Sequence, residues 1–477
     1  MNSAEKGVLP ITRAQSSDPA EITWDGPDDP ENPLNWPTSR KIPITLLVSL
    51  AQLICISTAS VVAPALPQIA SDLGLGELES QISFSIFILG QAFGPFVIGP
   101  LSEVFGRKPL WVGCTAFYIL WNSLCPVGKS KPILIVGRLL SGAGASCGVI
   151  LSGPIVADMY HVKDRGKSLA LAGLFPYLGP ALGPIIGGLA SQHLSWPWLF
   201  WVMSISAAVV VLAGVIYLRE TYAPMILHKK AIRLHGKSTR SSAQDHLWPK
   251  IRVSLQRPLR LLIFRPVIQL LALALAVDFG IYILVLSFFA RVFTDQYNQD
   301  TTASSLHYIA IGLGTTIAAQ AGGQAMDILY GYLKRRQPEG HAPTPEFRVP
   351  LLLIGFLMGP IGLFWLGWSA QARVAWIMVD IGAAIFTIGS FVGSQAILAY
   401  LLDEFGGHAA SASAAVRMLS NVFGFAFPLC APQLFDGLGY GWGNSVLAFV
   451  WIGVLFPVPV LLWFGGAQIR ALGKRES

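Results

Sequence analysis

Lys131-Pro-Ile-Leu-Ile-Val-Gly137-Arg138-Leu-Leu-Ser-Gly-Ala-Gly144-Ala-Ser-Cys-Gly-Val-Ile-Leu-Ser-Gly-Pro-Ile-Val-Ala-Asp158 is the stretch that decides the fold. Between its terminal charges it holds one ionised side chain, Arg138, and it exceeds the roughly 20 apolar residues needed to cross about 30 Å of hydrocarbon. It therefore reads as a membrane span. A guanidinium six residues inside such a helix, about 9 Å at 1.5 Å per residue, is costly against lipid and is expected to face a cavity or a carboxylate. Its charge is permanent, so it cannot carry protons itself and can only bias a carboxylate that does.

Similar runs recur outward in both directions. Spans are expected at 43–66, 81–104, 110–127, 132–158, 167–191 and 196–218, then at 265–293, 306–330, 349–369, 373–402, 408–435 and 440–466. The chain of 477 residues is 53% hydrophobic and 12% charged, against roughly 25% charged for soluble domains. An all-α polytopic membrane protein follows, and several stacked soluble domains are excluded. The six-plus-six grouping divides the chain into a tail (1–42), a bundle (43–218), a central polar loop (219–264), a second bundle (265–468) and a tail (469–477).

Orientation follows from the basic residues. Lys129, Lys131, Arg291 and Arg373 fall in loops on one side and Arg138 and Arg417 lie within spans, while the rest of the 33 Lys and Arg sit on the other side with both termini. The positive-inside bias makes that side cytoplasmic. The net charge of +7 is thus explained by topology and contact with anionic lipid, with no nucleic-acid partner implied. The polar first 42 residues contain no cleavable signal, so the first span is expected to act as an uncleaved anchor. Cys55, Cys114, Cys125, Cys147 and Cys430 lie in or beside apolar segments with no metal spacing and no disulfide framework. Gly166-Lys167-Ser168 lacks the leading glycine of a phosphate loop, and no HExxH occurs. Enzyme chemistry and ATP-driven transport are unsupported.

An internal echo supports two homologous halves: Gly99…Glu103…Gly106-Arg107-Lys108 follows the second span, and Gly323…Asp327…Lys334-Arg-Arg336 follows the eighth. Asp278 sits near mid-membrane in the seventh span with Tyr282 one turn on, and Asp380 lies in the tenth span at the depth of Arg138. Carboxylates in a low-dielectric wall can gain and lose a proton as solvent access alternates. Asp380 is also placed to pair with Arg138. Trp196, Trp198 and Trp201 read as anchors at the membrane interface.

Several segments together resemble the major facilitator superfamily, and within it the twelve-span drug:proton antiporters of fungi. Trp24-Asp-Gly-Pro-Asp-Asp-Pro-Glu-Asn-Pro-Leu-Asn-Trp36…Lys41 is similar to the signature before that group's first helix. Gly99 to Lys108 resembles the loop 2–3 motif, with Glu103 where many members have Asp. Gly137 to Gly144 is similar to the helix 4 arginine motif, and Gly179-Pro180…Gly183-Pro184…Gly187-Gly188 to the antiporter motif of helix 5. Glu220-Thr-Tyr-Ala-Pro224 resembles the end of helix 6, and Arg417 with Asp403 fits helices 10 and 11.

The resemblance implies two six-helix bundles related by a pseudo-two-fold axis, rocking about a cavity lined by helices 1, 4, 7 and 10. It implies export of a small organic molecule (drug, toxin or secondary metabolite) in exchange for protons, by a monomer in the plasma membrane that needs no metal or other cofactor. Arg138, Asp278, Tyr282 and Asp380 are then expected at the cavity. Gly99, Glu103, Gly106, Arg107, Lys108, Asp158 and Asp327 are expected to form a conformational latch, Arg107 pairing with Asp158 and Glu103 meeting helix 11 near His408 to Ser411. The glycine stripe 179/183/187 is expected to admit a helix of the other half, with Pro180 and Pro184 bending the span. Two other readings remain open: in the same class, a proton symporter importing a nutrient or organic acid; in a different class, a transport-inactive receptor or scaffold whose support is the basic central loop.

Overall fold

The computed structural model describes residues 23–161, 164–235, 247–337, 344–406 and 409–472. His408 and parts of the central loop and both tails lie outside the described residues. Twelve traverses run through the described chain, as α1 (Thr38–Ser60), α2 (Glu77–Phe105), α3 (Arg107–Leu124), α4 (Lys131–Met159), α5 (Gly179–His193), α6 (Pro197–Tyr217), α7 (Pro266–Tyr297), α8 (Tyr308–Ile317), α9 (Val349–Gln371), α10 (Trp376–Phe405), α11 (Ala409–Ala426) and α12 (Ala431–Leu455). A π turn at Ala318–Gly322 carries α8 into Gly323–Arg336, and α12 continues as Pro457–Leu472. Among the described residues there is no strand. With no water to bond exposed peptide groups, helices that satisfy their own N–H and C=O groups are the form an apolar chain takes across a membrane.

Among the described residues eight segments are long and apolar enough to cross a bilayer, one of them running from Ser411 through Leu472 across α11 and α12. The remaining traverses fail that criterion for local reasons. The fifth is interrupted between Ala172 and Gly179 by a 3-10 turn at Pro176–Leu178. Pro180 stands in the first turn of α5, where no N–H is required of it, so it helps start the helix. The fifth span is therefore not continuous, and of the two prolines only Pro184 stands inside α5. Gly439 (φ 72°) breaks α12, so the residues of α12 before it complete the eleventh traverse and those after it form the twelfth.

Glycines set how closely the helices approach. A Cβ on Gly90 of α2 would lie 2.1 Å from the Leu139 carbonyl oxygen, and one on Gly142 of α4 would lie 2.0 Å from that of Phe87. The α5 stripe faces α1 of its own half: a Cβ at Gly187 would meet the Val61 carbonyl oxygen at 2.1 Å, and one at Gly183 would meet that of Ser57 at 2.5 Å. Of the α5 glycines Gly188 is the one that abuts the other half, at Ser305, while Gly312 of α8 approaches α5 at Ala181. Residues four apart share one helix face, and Gly188 lies a further 100° round.

Trp196 is buried and donates from Nε1 to Asp72 Oδ2 at 2.9 Å, so it ties α6 to the helix Leu66–Leu73 and is no interfacial anchor, whereas Trp198 is exposed. On the face that carries the termini, the tail folds as a compact knot. Asp29 accepts the backbone N–H groups of Asp25 and Glu31, and Lys41 Nζ donates to the Leu34 carbonyl at 2.8 Å. Lys230, from the linker helix Ala223–His235, reaches Asp25 at 2.7 Å and Asp29 at 3.1 Å.

The two backbone N–H groups, with Lys230 adding to them, hold the Asp29 carboxyl below its ordinary value. A depressed carboxylate contributes stability above its unfolded pKa and loses it as pH falls through the folded value. Protease cleavage between the tail and the linker is therefore expected to accelerate in acid below the ordinary aspartate range. Lys230→Ala should bring the same acceleration already at neutral pH, read by limited proteolysis.

Candidate functional site

A central cavity of about 300 Å³ lies between the halves, within the size range of small-molecule sites. Ile56 and Ser60 of α1, Gln91 of α2, Ser146 and Ile150 of α4 and Pro180 of α5 line one side. Phe279, Tyr282 and Leu286 of α7, Phe391 of α10, and Arg417 and Asn421 of α11 line the other. The walls are mostly apolar and aromatic. Tyr282 stacks on Phe279 at 6.3 Å and on Phe386 at 6.5 Å, and meets Phe391 edge-on at 5.6 Å. Among the described residues Arg417 is the only charged side chain in this lining.

Arg138 is fully buried, but it faces neither a cavity nor a carboxylate. Its guanidinium donates to the carbonyls of Thr58 (3.0 Å), Ser83 (3.2 Å) and Phe84 (3.0 Å) and lies 4.6 Å over the Phe87 ring. A helical carbonyl keeps a second lone pair after its own ladder bond, so α1 and α2 can together solvate a cation on α4. The close Gly90 and Gly142 crossings bring those carbonyls within reach. The expected ion pair with Asp380 does not form.

Asp278 is 1% exposed and turns away from the cavity. Its Oδ2 accepts from Ser394 Oγ of α10 at 2.6 Å, and its Oδ1 has no hydrogen-bond partner. Tyr282, one turn on, does reach the cavity. Asp380 sits toward the face opposite the termini, where His307 Nδ1 lies 2.8 Å from its Oδ2 and His307 Nε2 lies 2.8 Å from Gln299 Oε1. The imidazole stacks on Phe293 at 3.6 Å. Of the four residues expected at the cavity, only Tyr282 lines it, because burial depth along a helix does not specify direction around it.

The latch residues divide. Arg107 Nε lies 3.3 Å from Asp158 Oδ2, its guanidinium also meets Ser102 Oγ, and it rests 4.6 Å over Tyr222. Gly106 adopts φ 93°, a left-handed value that suits glycine, and a Cβ there would strike the Glu220 carboxylate at 2.3 Å. That carboxylate accepts the N–H groups of Arg107 (2.8 Å) and Lys108 (3.3 Å), so Glu220 caps α3 from the end of α6. Lys108 Nζ donates to the Val215 carbonyl at 2.8 Å. A Cβ at Gly99 would meet nothing within 4 Å. Glu103 and Asp327 are exposed and form no ion pair among the described residues. The second-half counterpart of Arg107–Asp158 is Arg348–Asp403 at 2.7 Å, again joining the start of one helix, α9, to the end of the next, α10. The sequence echo at Asp327 and Lys334 to Arg336 missed it, and Asp403 pairs with Arg348 rather than Arg417. Glu220 was marked in the sequence only as part of the Glu220-to-Pro224 segment at the end of the sixth span, and Arg348 only as a charge flanking a span.

Hydrogen bonds between the halves gather toward the face opposite the termini. Gln192 of α5 donates to Asp300 at 3.3 Å and accepts the Thr302 N–H at 2.8 Å, while deeper in, Thr315 of α8 donates to the Tyr177 carbonyl at 2.8 Å. A second cleft of about 570 Å³ lies at that face, lined by Glu77, Gln81, Arg291 and Asp295 among others. At the terminal face the helix Leu247–Phe264 packs on both α2 and α11.

Residues 48–428 match the family described as Major Facilitator Superfamily. The chain is 37% identical over 466 residues to an uncharacterized transporter of Schizosaccharomyces pombe, covering 96% of this chain and 94% of that one. It is 36% identical to the efflux pump vrtL of Penicillium aethiopicum, covering 99% and 96%. Among solved structures, the xylose transporter XylE from E. coli, in a partially occluded inward open conformation, superposes with a TM-score of 0.63 at 16% identity, covering 89% and 99%. That likeness concerns the fold.

The Arg138 geometry predicts that Arg138→Lys loses folded protein, because one ammonium cannot serve three carbonyls and the Phe87 face together. At roughly 1.5–3 kcal/mol for each charged hydrogen bond lost, the variant should unfold at clearly lower temperature and give a reduced monodisperse peak in size-exclusion chromatography. An unchanged melting curve would refute the carbonyl triad as a structural keystone.

Proposed function

The chain belongs to the Major Facilitator Superfamily, and on that premise we propose that this membrane transporter exports a small organic compound in exchange for protons. The observation that carries the reading is the central cavity, apolar and drug-sized, closed toward one face by bonds between α5 and the short helix Thr301–Leu306 that precedes α8. Assigning the basic terminal face to the cytoplasm makes this a state sealed on the outside, with the cleft near Arg291 as the exit vestibule. Its likeness to a fungal efflux pump over nearly the full chain supports the outward direction.

In the alternating cycle, the paired rings Arg107–Asp158 and Arg348–Asp403 hold the helix ends of each half together, so that each half rocks as one body. Proton coupling is placed at Asp278. Its Ser394 bond joins α7 to α10, and its second oxygen is unpaired, so gain of a proton changes how the two helices are held behind the substrate wall. Tyr282, one turn along, passes that change to the cavity. The plasma membrane is the proposed site of action.

In proteoliposomes, Asp278→Asn should still bind substrate yet lose the acceleration of efflux by an imposed proton gradient, with a drop of tenfold or more in gradient-driven rate. Gradient-driven efflux equal to the wild type in this variant would remove Asp278 as the coupling site. Uptake driven by the same gradient would overturn export itself.

A further inference from the structure

The geometry points to an amphipathic aromatic anion, a carboxylate or phenolate, as the cargo of the central cavity, with Arg417 as the group that recognises its charge. This rests on the cavity being the transport site.

Arg417 lies within the membrane-spanning part of α11 and lines the cavity. It makes no hydrogen bond or ion pair among the described residues, and its side chain is open to the cavity rather than packed away. The contrast with Arg138 is direct: there three carbonyls satisfy the guanidinium, whereas the Arg417 fork is left with free donors. No Asp or Glu lines the cavity among the described residues, so nothing on its wall neutralises that charge. A guanidinium held in a low-dielectric wall gains most from a partner that is itself charged and can accept two parallel N–H bonds.

A second group agrees. Tyr282 lines the same chamber, and its hydroxyl, itself buried, has no hydrogen-bond partner. Asn421, one turn along α11 from Arg417, and Gln91 across the cavity complete a polar set amid aromatic walls. The stacked Phe279 and Tyr282 rings and the edge of Phe391 offer a slot for a flat apolar body. An organic cation would meet the same rings but would carry like charge beside Arg417.

The test uses equilibrium binding to the purified full-length chain, with two xanthene dyes of related shape followed by fluorescence polarisation: anionic fluorescein and cationic rhodamine 6G. Wild type is expected to bind fluorescein at least tenfold more tightly than rhodamine 6G. Arg417→Gln should erase that preference, Arg417→Lys should keep most of it, and Asn421→Asp should erase it as well by placing a carboxylate within reach of the guanidinium. The last variant keeps the test decisive if Arg417→Gln does not fold. Fluorescein affinity no greater than that of rhodamine 6G, or a preference that survives both Arg417→Gln and Asn421→Asp, overturns the inference. Because the readout is binding, inward flux would defeat export while leaving the anion preference standing, and a cation preference would leave outward flux untouched.

Discussion

A charge placed in hydrocarbon must be solvated by the protein itself, and this molecule meets that constraint in different ways at different places. Arg138 is satisfied by carbonyls of Thr58, Ser83 and Phe84, which bind three helices of the first half at one point. The bond set exists only because glycines let α2 and α4 approach to backbone distance. Remove the approach and the carbonyls recede; remove the cation and the carbonyls lose their common donor. The rigidity of the first bundle depends on that mutual arrangement.

Among the described residues the second half has no cation solvated by carbonyls in this way. Asp278 is held by one serine, and Asp380 by a histidine that stacks on Phe293. These contacts are fewer and leave single oxygens unpaired on both carboxylates. The halves share a fold, yet these two sparsely satisfied carboxylates within the spans both fall in the second.

At the terminal face the halves do repeat each other. Arg107–Asp158 and Arg348–Asp403 close equivalent corners, and each half adds its own reinforcement: Glu220 capping α3 in the first, Arg470 bridging Glu346 and Glu404 in the second. These are bonds within a half, which leaves the movement between halves to the softer contacts of α5 with α8 and of the helix Leu247–Phe264 with α2 and α11.

The order of charged and apolar residues was enough to indicate the membrane spans, because the hydrocarbon imposes length and polarity on every traverse, while the superfamily was legible in the resemblance of motifs such as Gly137 to Gly144. The same order located Arg138, Asp278 and Asp380 in depth, and suggested Arg107 with Asp158 from their places at neighbouring helix ends. What it did not contain was the azimuth of each helix. Rotation about the axis is set by packing with neighbours, so only the tertiary structure sent Arg138 to carbonyls, Asp278 to Ser394 and Asp380 to His307, and left Arg417 facing the chamber. Contacts across large separations, such as Glu220 on the Arg107 amide, likewise arise from packing that no local pattern encodes.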